Sequence, residues 1–459
     1  MQVKKLKVVG VLALLVLILS ECQKAAQFPD TGYDERLSGG ITTVFDLTSH
    51  AFSNMFPGMS DYDQKVHGFG DAAFSKIFVT APAPINSGLG TIFNNTSCIS
   101  CHHNDGIGLP TAGESRSSLL VRISLPGADA HGGPLPVPGY GLQLQDKAVF
   151  GQVPEAKINI AYTYTTYSFA DGETYELRAP TYTLTNLYTA ISGSYLLSPR
   201  LAPPMFGLGL LEAVPESEIV AMADPNDADG DGIKGKPNYV WDVTTQSRQL
   251  GRFGWKANTA SILTQVAAAY NQDIGITNRI FPVESSFGQI QDDGLKDDPE
   301  LPDSTLNAVR FYAATLAVPA RRDVTDADCK KGEALFKAAK CAVCHRQTLT
   351  TGVNVAFAPV SNQVIHPYTD ILVHDMGPGL ADNRPDFLAS GQEWRTASLW
   401  GLGLFEKVNS PGYYLHDGRA RSVTEAIMWH GGEAEASKVY FSKLSKSDRA
   451  LVLKFLGSL

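Results

Sequence analysis

Cys98-Ile99-Ser100-Cys101-His102 and Cys341-Ala342-Val343-Cys344-His345 are the two stretches on which the reading of this 459-residue chain turns. In each, two thiols three positions apart sit beside an imidazole. That spacing lets both sulfurs bond the vinyl groups of one haem while the adjacent histidine reaches its iron. The rival reading of paired Cys-X-X-Cys groups is zinc, but zinc knuckles lie about 15–20 residues apart. Here about 240 residues separate them. Redox disulfides would leave the histidine unexplained in both copies. The expectation is two covalently bound c-type haems, with His102 and His345 as proximal ligands.

Working outward from the second pentad, residues 332–340 read as a short helix that delivers it. The chain then closes with a helix over 447–456, opened by Ser445-X-X-Asp448 and carrying Leu451, Val452, Phe455 and Leu456 on one face. A pentad after one helix and an amphipathic last helix make a cytochrome c-like domain, expected over 323–459. Pro319-Ala320-Arg321-Arg322 reads as the linker before it. Around the first pentad, Phe74, Ile77 and Phe78 mark a helical face leading in. Further helices are expected over 216–222 and 306–316. Between about 117 and 187 the pattern changes to alternation, as in Ile158, Ile160, Tyr162 and Tyr164, with Asp171-Gly172 as a hairpin turn. The fold expected is therefore mainly α, with two cytochrome c-like haem domains. The N-terminal one, over 51–318, is enlarged by the β-rich insertion and an Asp-rich loop at 227–238.

The N-terminus reads as an export signal over 1–22. Lys4, Lys5 and Lys7 precede an apolar run over 8–19, shorter than the roughly 20 residues a membrane span needs. It ends at Leu19-Ser20-Glu21-Cys22, which resembles a bacterial lipobox, although Glu21 stands where a small residue is usual. A lipoprotein held to the outer membrane by lipidated Cys22, facing the periplasm, is expected; simple secretion is the alternative. Residues 23–50 read as a polar tether. The net charge of −9 disfavours nucleic acid as a partner. Of six cysteines, only Cys329 is left over. It reads as a small buried hydrophobe or a reactive thiol.

The sixth iron ligands decide function. Val423, Ala426, Ile427 and His430 share a helical face that Gly431-Gly432 ends, so His430 is either a core histidine or a ligand. Met376 ranks below it. His374, His416, Arg395 and Arg419 read as propionate partners or as turn-stabilising groups. His67, His103 and His131 are the candidates to cap the first haem. Asp227, Asp229 and Asp231, followed by a glycine, match the first half of a calcium loop. Asn238 replaces the bidentate glutamate at position twelve, so a calcium site and a solvated turn stand equal. Trp255 is either structural or an electron relay between haems. Glu212, after the apolar residues 208–211, is either a helix-end glutamate or a buried catalytic acid able to move protons on bound peroxide.

Together these segments resemble the bacterial di-haem oxidoreductase family, also labelled thiol oxidoreductases. The resemblance runs from Gly88-Leu89-Gly90 through Gly207-Leu208-Gly209-Leu210-Leu211-Glu212-Ala213, Asp229-Gly230-Asp231-Gly232-Ile233 and 251–257. It continues through Arg322-Asp323-Val324-Thr325, Tyr368-Thr369-Asp370, His374-Asp375-Met376-Gly377 and Glu393-Trp394-Arg395-Thr396. The C-terminal third is also similar to di-haem cytochrome c peroxidases. There a His-Asp-Gly turn, here His416-Asp417-Gly418, precedes a distal ligand fourteen residues on, the position of His430. The resemblance thus implies a His/His second haem. It also implies a peroxidase-like oxidoreductase that passes electrons from the C-terminal to the N-terminal haem. The partners expected are a small electron-donor cytochrome or similar redox carrier and a peroxide-type substrate. A non-enzymatic di-haem electron carrier is the alternative.

Overall fold

The computed structural model describes residues 34–459 apart from 115, 355 and 356. The expected export signal over 1–22, with Cys22, lies outside the described residues. Arg36–Leu459 form one compact unit.

Each pentad follows a helix that is crossed by a later one. In the N-terminal half, α1 (Asp61–Phe74) is capped by Ser60, whose hydroxyl accepts from Asp63 N at 3.1 Å. Three strands belong to the middle of this half: β1 (Leu119–Ala128), β2 (Lys157–Ser168) and β3 (Thr174–Thr185). They are followed by β4 (Leu196–Leu201), α2 (Ile262–Ala269) and α3 (Asp303–Ala314). In the C-terminal half come α4 (Ala327–Ala338), α5 (Val423–Trp429) and α6 (Lys446–Ser458). Helices α1 and α3 meet at Gly70, where a Cβ would lie 2.2 Å from Ala308 O. Helices α4 and α6 meet at Gly332, where a Cβ would lie 2.0 Å from Leu451 O. Both crossings are close backbone approaches that any larger residue would open. Ser445 caps α6 by accepting from Asp448 N at 3.2 Å, a cap worth about 1 kcal/mol against alanine.

The expectation of a mainly α fold is corrected. Only 28% of the described residues are helical and 20% are in strands, the latter spread over many small sheets. The physical reason lies in the loops. Between Cys344 and Val423 the chain carries two short 3-10 turns and one four-residue helix, and otherwise runs as two- and three-residue ladders and turns. Helical periodicity shows only where a segment is long enough to bury one face along its length, as α1, α3, α4 and α6 do.

β1 pairs antiparallel with β4, Leu119 facing Leu201 and Ser124 facing Leu196. β2 and β3 form a ribbon in unbroken register from Lys157–Thr185 to Ser168–Thr174, turned at Asp171-Gly172. The ribbon reaches across to the C-terminal half. Arg178 donates to Gly418 O at 2.8 Å and Arg419 O at 2.9 Å. Arg449 of α6 holds the tip through Asp171 at 2.8 Å and Glu173 at 2.7 Å, and covers the Phe169 ring.

The packing has no break at the expected linker. Phe52 stacks on Phe206 at 4.3 Å and meets Phe405 at 5.9 Å, and Leu316, Ala317 and Val318 are fully buried between the halves. The segment expected as a tether is, from Arg36, part of this body. Val44 N donates to Val318 O at 3.0 Å, and Ala320 N returns the bond to Val44 O at 2.8 Å.

Candidate functional site

The second pentad opens into a cavity of about 270 Å³, lined mainly by apolar side chains and by Cys341, Cys344, His345 and His430. His345 Nδ1 lies 3.0 Å from Tyr368 O, and His430 Nδ1 lies 2.7 Å from Ala426 O. A carbonyl only accepts, so each ring carries its proton on Nδ1 and keeps the Nε2 lone pair for another partner. Burial pushes His345 down to about 4 and lowers His430 as well, so both imidazoles are neutral at ordinary pH, the form that ligates metal. His430 caps the end of α5, which Ser422 starts by accepting from Glu425 N at 3.1 Å.

The first pentad opens into a cavity of about 180 Å³ with Cys98, Cys101 and His102 on its wall. His102 Nδ1 lies 2.8 Å from Pro203 O, and burial pushes its pKa down to about 4. The same device thus fixes three imidazoles. Among the described residues lining this cavity, His102 is the sole histidine. The three candidates to cap it lie elsewhere. His67 is buried against Thr315 Oγ1 at 2.7 Å, and His131 stacks on Trp241 at 3.8 Å. The backbone of His103 is tied to Asn409, and its side chain does not line the cavity.

In both cavities an apolar wall, two thiols and a neutral Nε2 donor make a set that fits a haem. Only the second has two such histidines. Redox catalysis by a free thiolate is not what these cysteines are set up for, because burial pushes Cys101 and Cys341 up to about 12. Cys329 is fully buried against Lys454 O.

The two cavities share a wall. Pro203, Pro204, Leu208, Leu211, Trp255 and Arg395 border both. Trp255 Nε1 donates to Leu201 O at 2.7 Å, and Arg395 donates to Gly254 O at 3.0 Å and Thr396 O at 3.1 Å. Met376, Trp394 and His416 belong to the second cavity, the last two stacked at 3.7 Å. Arg419 is committed to Asp417, with Nε at 3.0 Å and Nη2 at 2.8 Å. His374 lies between Asp370 at 2.9 Å and Glu433 at 2.7 Å. Two carboxylates can be met only if both ring nitrogens donate, so it is held as an imidazolium, well above its ordinary pKa.

Glu212 does not line either cavity. Its carboxylate accepts from Ile262 N at 2.7 Å, at the start of α2, and pairs with Arg310 at 3.4 Å. The acid on the first cavity is Asp273, which the sequence reading passed over. Burial raises its pKa, and Gln143 Nε2 donates to its Oδ1 at 2.7 Å. It sits in a π-turn, Tyr270–Ile274, that prolongs α2, a local distortion often found at functional sites. Asp227, Asp229 and Asp231 do converge, but each accepts a backbone N–H of its own loop, at 3.0 Å from Gly232, 3.1 Å from Asp231 and 2.9 Å from Ile233. Asn238 turns away to Lys256 O and Asp386 O, so the turn is closed by its own hydrogen bonds.

Residues 33–459 match the family model described as "Di-haem oxidoreductase, putative peroxidase". No curated protein matches. A solved structure of hydrazine synthase from Kuenenia stuttgartiensis, pressurized with 20 bar xenon, is similar at 13% identity and a TM-score of 0.37, covering 96% of this chain and 98% of that one. A likeness so slight carries nothing about the chemistry here.

Proposed function

This chain belongs to the di-haem oxidoreductase family, and from that premise we propose an exported c-type cytochrome that reduces a peroxide-type substrate. The supporting observation is the inequality of the two cavities, one with both His345 and His430 on its wall and one with His102 as its sole histidine among the described residues. In this reading each pentad forms two thioethers to its haem. A bound haem supplies one-electron chemistry at both sites and, where one axial position stays open, a place for peroxide.

The residues divide that work. His345 and His430 would together hold the haem of the second site, which would suit it to take up electrons from a small donor cytochrome. His102 holds the first site from one side only. Electrons would then cross the shared wall from the second site to the first, where Trp255 is the aromatic group bordering both cavities. Asp273 takes the acid role expected of Glu212: Gln143 donates to its Oδ1, and burial raises its pKa against the pull of Arg122. The apolar lining keeps water away from the reacting centre. The lysine-rich start and the apolar run over 8–19 support a periplasmic location, with lipidated Cys22 as anchor to the outer membrane.

Optical and EPR spectra of the holoprotein test this. One low-spin and one high-spin haem are expected, with only the high-spin signal changing on peroxide addition. Two low-spin haems, both inert, would identify a plain electron carrier instead. Trp255→Phe is expected to leave both spectra intact and to slow electron passage between the sites by an order of magnitude or more in stopped-flow reduction. An unchanged rate removes Trp255 from the route.

A further inference from the structure

Three surface loops, 77–88, 149–153 and 283–300, carry nine of the 21 large hydrophobic side chains that stand exposed among the described residues. Ile85 is 72% exposed, Phe150 fully so, Phe287 73% and Ile290 70%. Scattered single hydrophobes are ordinary, but a concentration of this kind marks an interaction surface. The loops are adjacent. Gln291 Nε2 donates to Val153 O at 3.0 Å and Gln289 Nε2 to Glu155 at 2.9 Å. The 77–88 loop reaches Glu300, since a Cβ on Gly88 would lie 3.3 Å from its carboxylate.

The same face is strongly acidic. Residues 283–300 hold Glu284, Asp292, Asp293, Asp297, Asp298 and Glu300 against Lys296, more than half of the chain's net charge of −9. Asp293, Asp297 and Asp298 are exposed. An apolar patch inside an acidic rim repels anionic lipid and attracts a partner of the opposite charge pattern. Its position also matters. Asn271 Nδ2 donates to Val283 O at 2.9 Å, two residues from Asp273 on the first cavity. From the 77–88 side, the buried Phe78 ring lies 6.2 Å from Tyr270, whose hydroxyl is near Cys98. Electron transfer weakens steeply with distance, so a protein seated here would be well placed to reach the first site.

We propose that this acidic, apolar face docks a basic redox protein, with lysines around an apolar contact, which would be oxidised by one electron as the haem of the first site is reduced by one. The exchange rests on the first cavity being a haem site, whereas the docking does not. This partner is distinct from the donor to the second site.

The test is binding of the full holoprotein to a lysine-rich cytochrome c as probe, by calorimetry without peroxide. Failure of docking is then read separately from failure of peroxide reduction. Asp293→Lys with Asp297→Lys, and Phe287→Ser with Ile290→Ser, are each expected to weaken binding by about tenfold or more. Acetylating the probe's lysines should do the same. These side chains are exposed, and unchanged circular dichroism and haem spectra establish that the variants are folded. Equal affinity in either double variant overturns the proposal. So does a loss confined to the charge variant, which signifies non-specific attraction. Binding of phosphatidylcholine vesicles that Phe287→Ser with Ile290→Ser abolishes, while cytochrome binding persists, would assign the face to a membrane and overturn it as well.

Discussion

Replacing Cys98 and Cys101 with alanine is expected to leave one haem per chain where the native protein holds two, and to lower peroxide turnover by more than about 100-fold, since even an outer-shell change at a metal site costs 10–100-fold. The haem count is read by the pyridine haemochrome assay and by the mass of the intact chain. The low-spin signal of the second site should survive, because Cys341, Cys344, His345 and His430 line a cavity of their own. The asymmetry of the two sites is what makes this a strong test. If the first site binds the substrate, losing it abolishes chemistry while sparing electron uptake. Turnover that persists with one remaining haem would move the substrate site to the second cavity and overturn the division of labour.

His430→Ala is expected to convert the second haem from low-spin to high-spin without changing the number of haems, since both cysteines of its pentad remain. The Nε2 of His430 is the donor left free once Nδ1 is committed to Ala426 O. Alanine supplies no ligand, and the cavity it leaves opens the axial position to water. The change should appear in EPR as loss of one low-spin species, with the first haem's spectrum untouched. Electron uptake from a donor should slow with it, because a ligand that comes and goes adds reorganisation to each transfer. A low-spin signal that survives would point to another ligand, and Met376 on the same cavity is the first to examine.

How much of this was legible in the sequence follows from which interactions are local. The pentads, the Ser445 cap and the Asp171-Gly172 turn each lie within a few residues, and their chemistry can be read from residue types alone. His430 became readable through its helical spacing and its distance from His416. Glu212 shows where such reading stops. In the short helix Leu208–Glu212, Leu208 and Leu211 are three residues apart and share the face that borders both cavities. The next residue is rotated by about 100° and looks towards Arg310 instead. The apolar run located the wall, and its neighbour was taken for part of it. Asp273 carries no such pattern, because it reaches the first cavity and is buried there only through residues far away in the chain. The carbonyl partners of the histidines, Pro203, Tyr368 and Ala426, were invisible for a simpler reason: any residue has a carbonyl. The fold class failed where the chain between Cys344 and Val423 forgoes regular elements and builds cavity walls from turns.

The shared wall and the ribbon impose an order in time. Cys98 lies early in the chain, yet Arg395 on its cavity comes far later, and the Arg449 that grips the ribbon tip comes almost last. Contacts so distant in sequence form late. The first pocket therefore remains open-sided while the chain is young, accessible to whatever installs its cofactor. It closes only when the segment carrying Arg395 packs onto it.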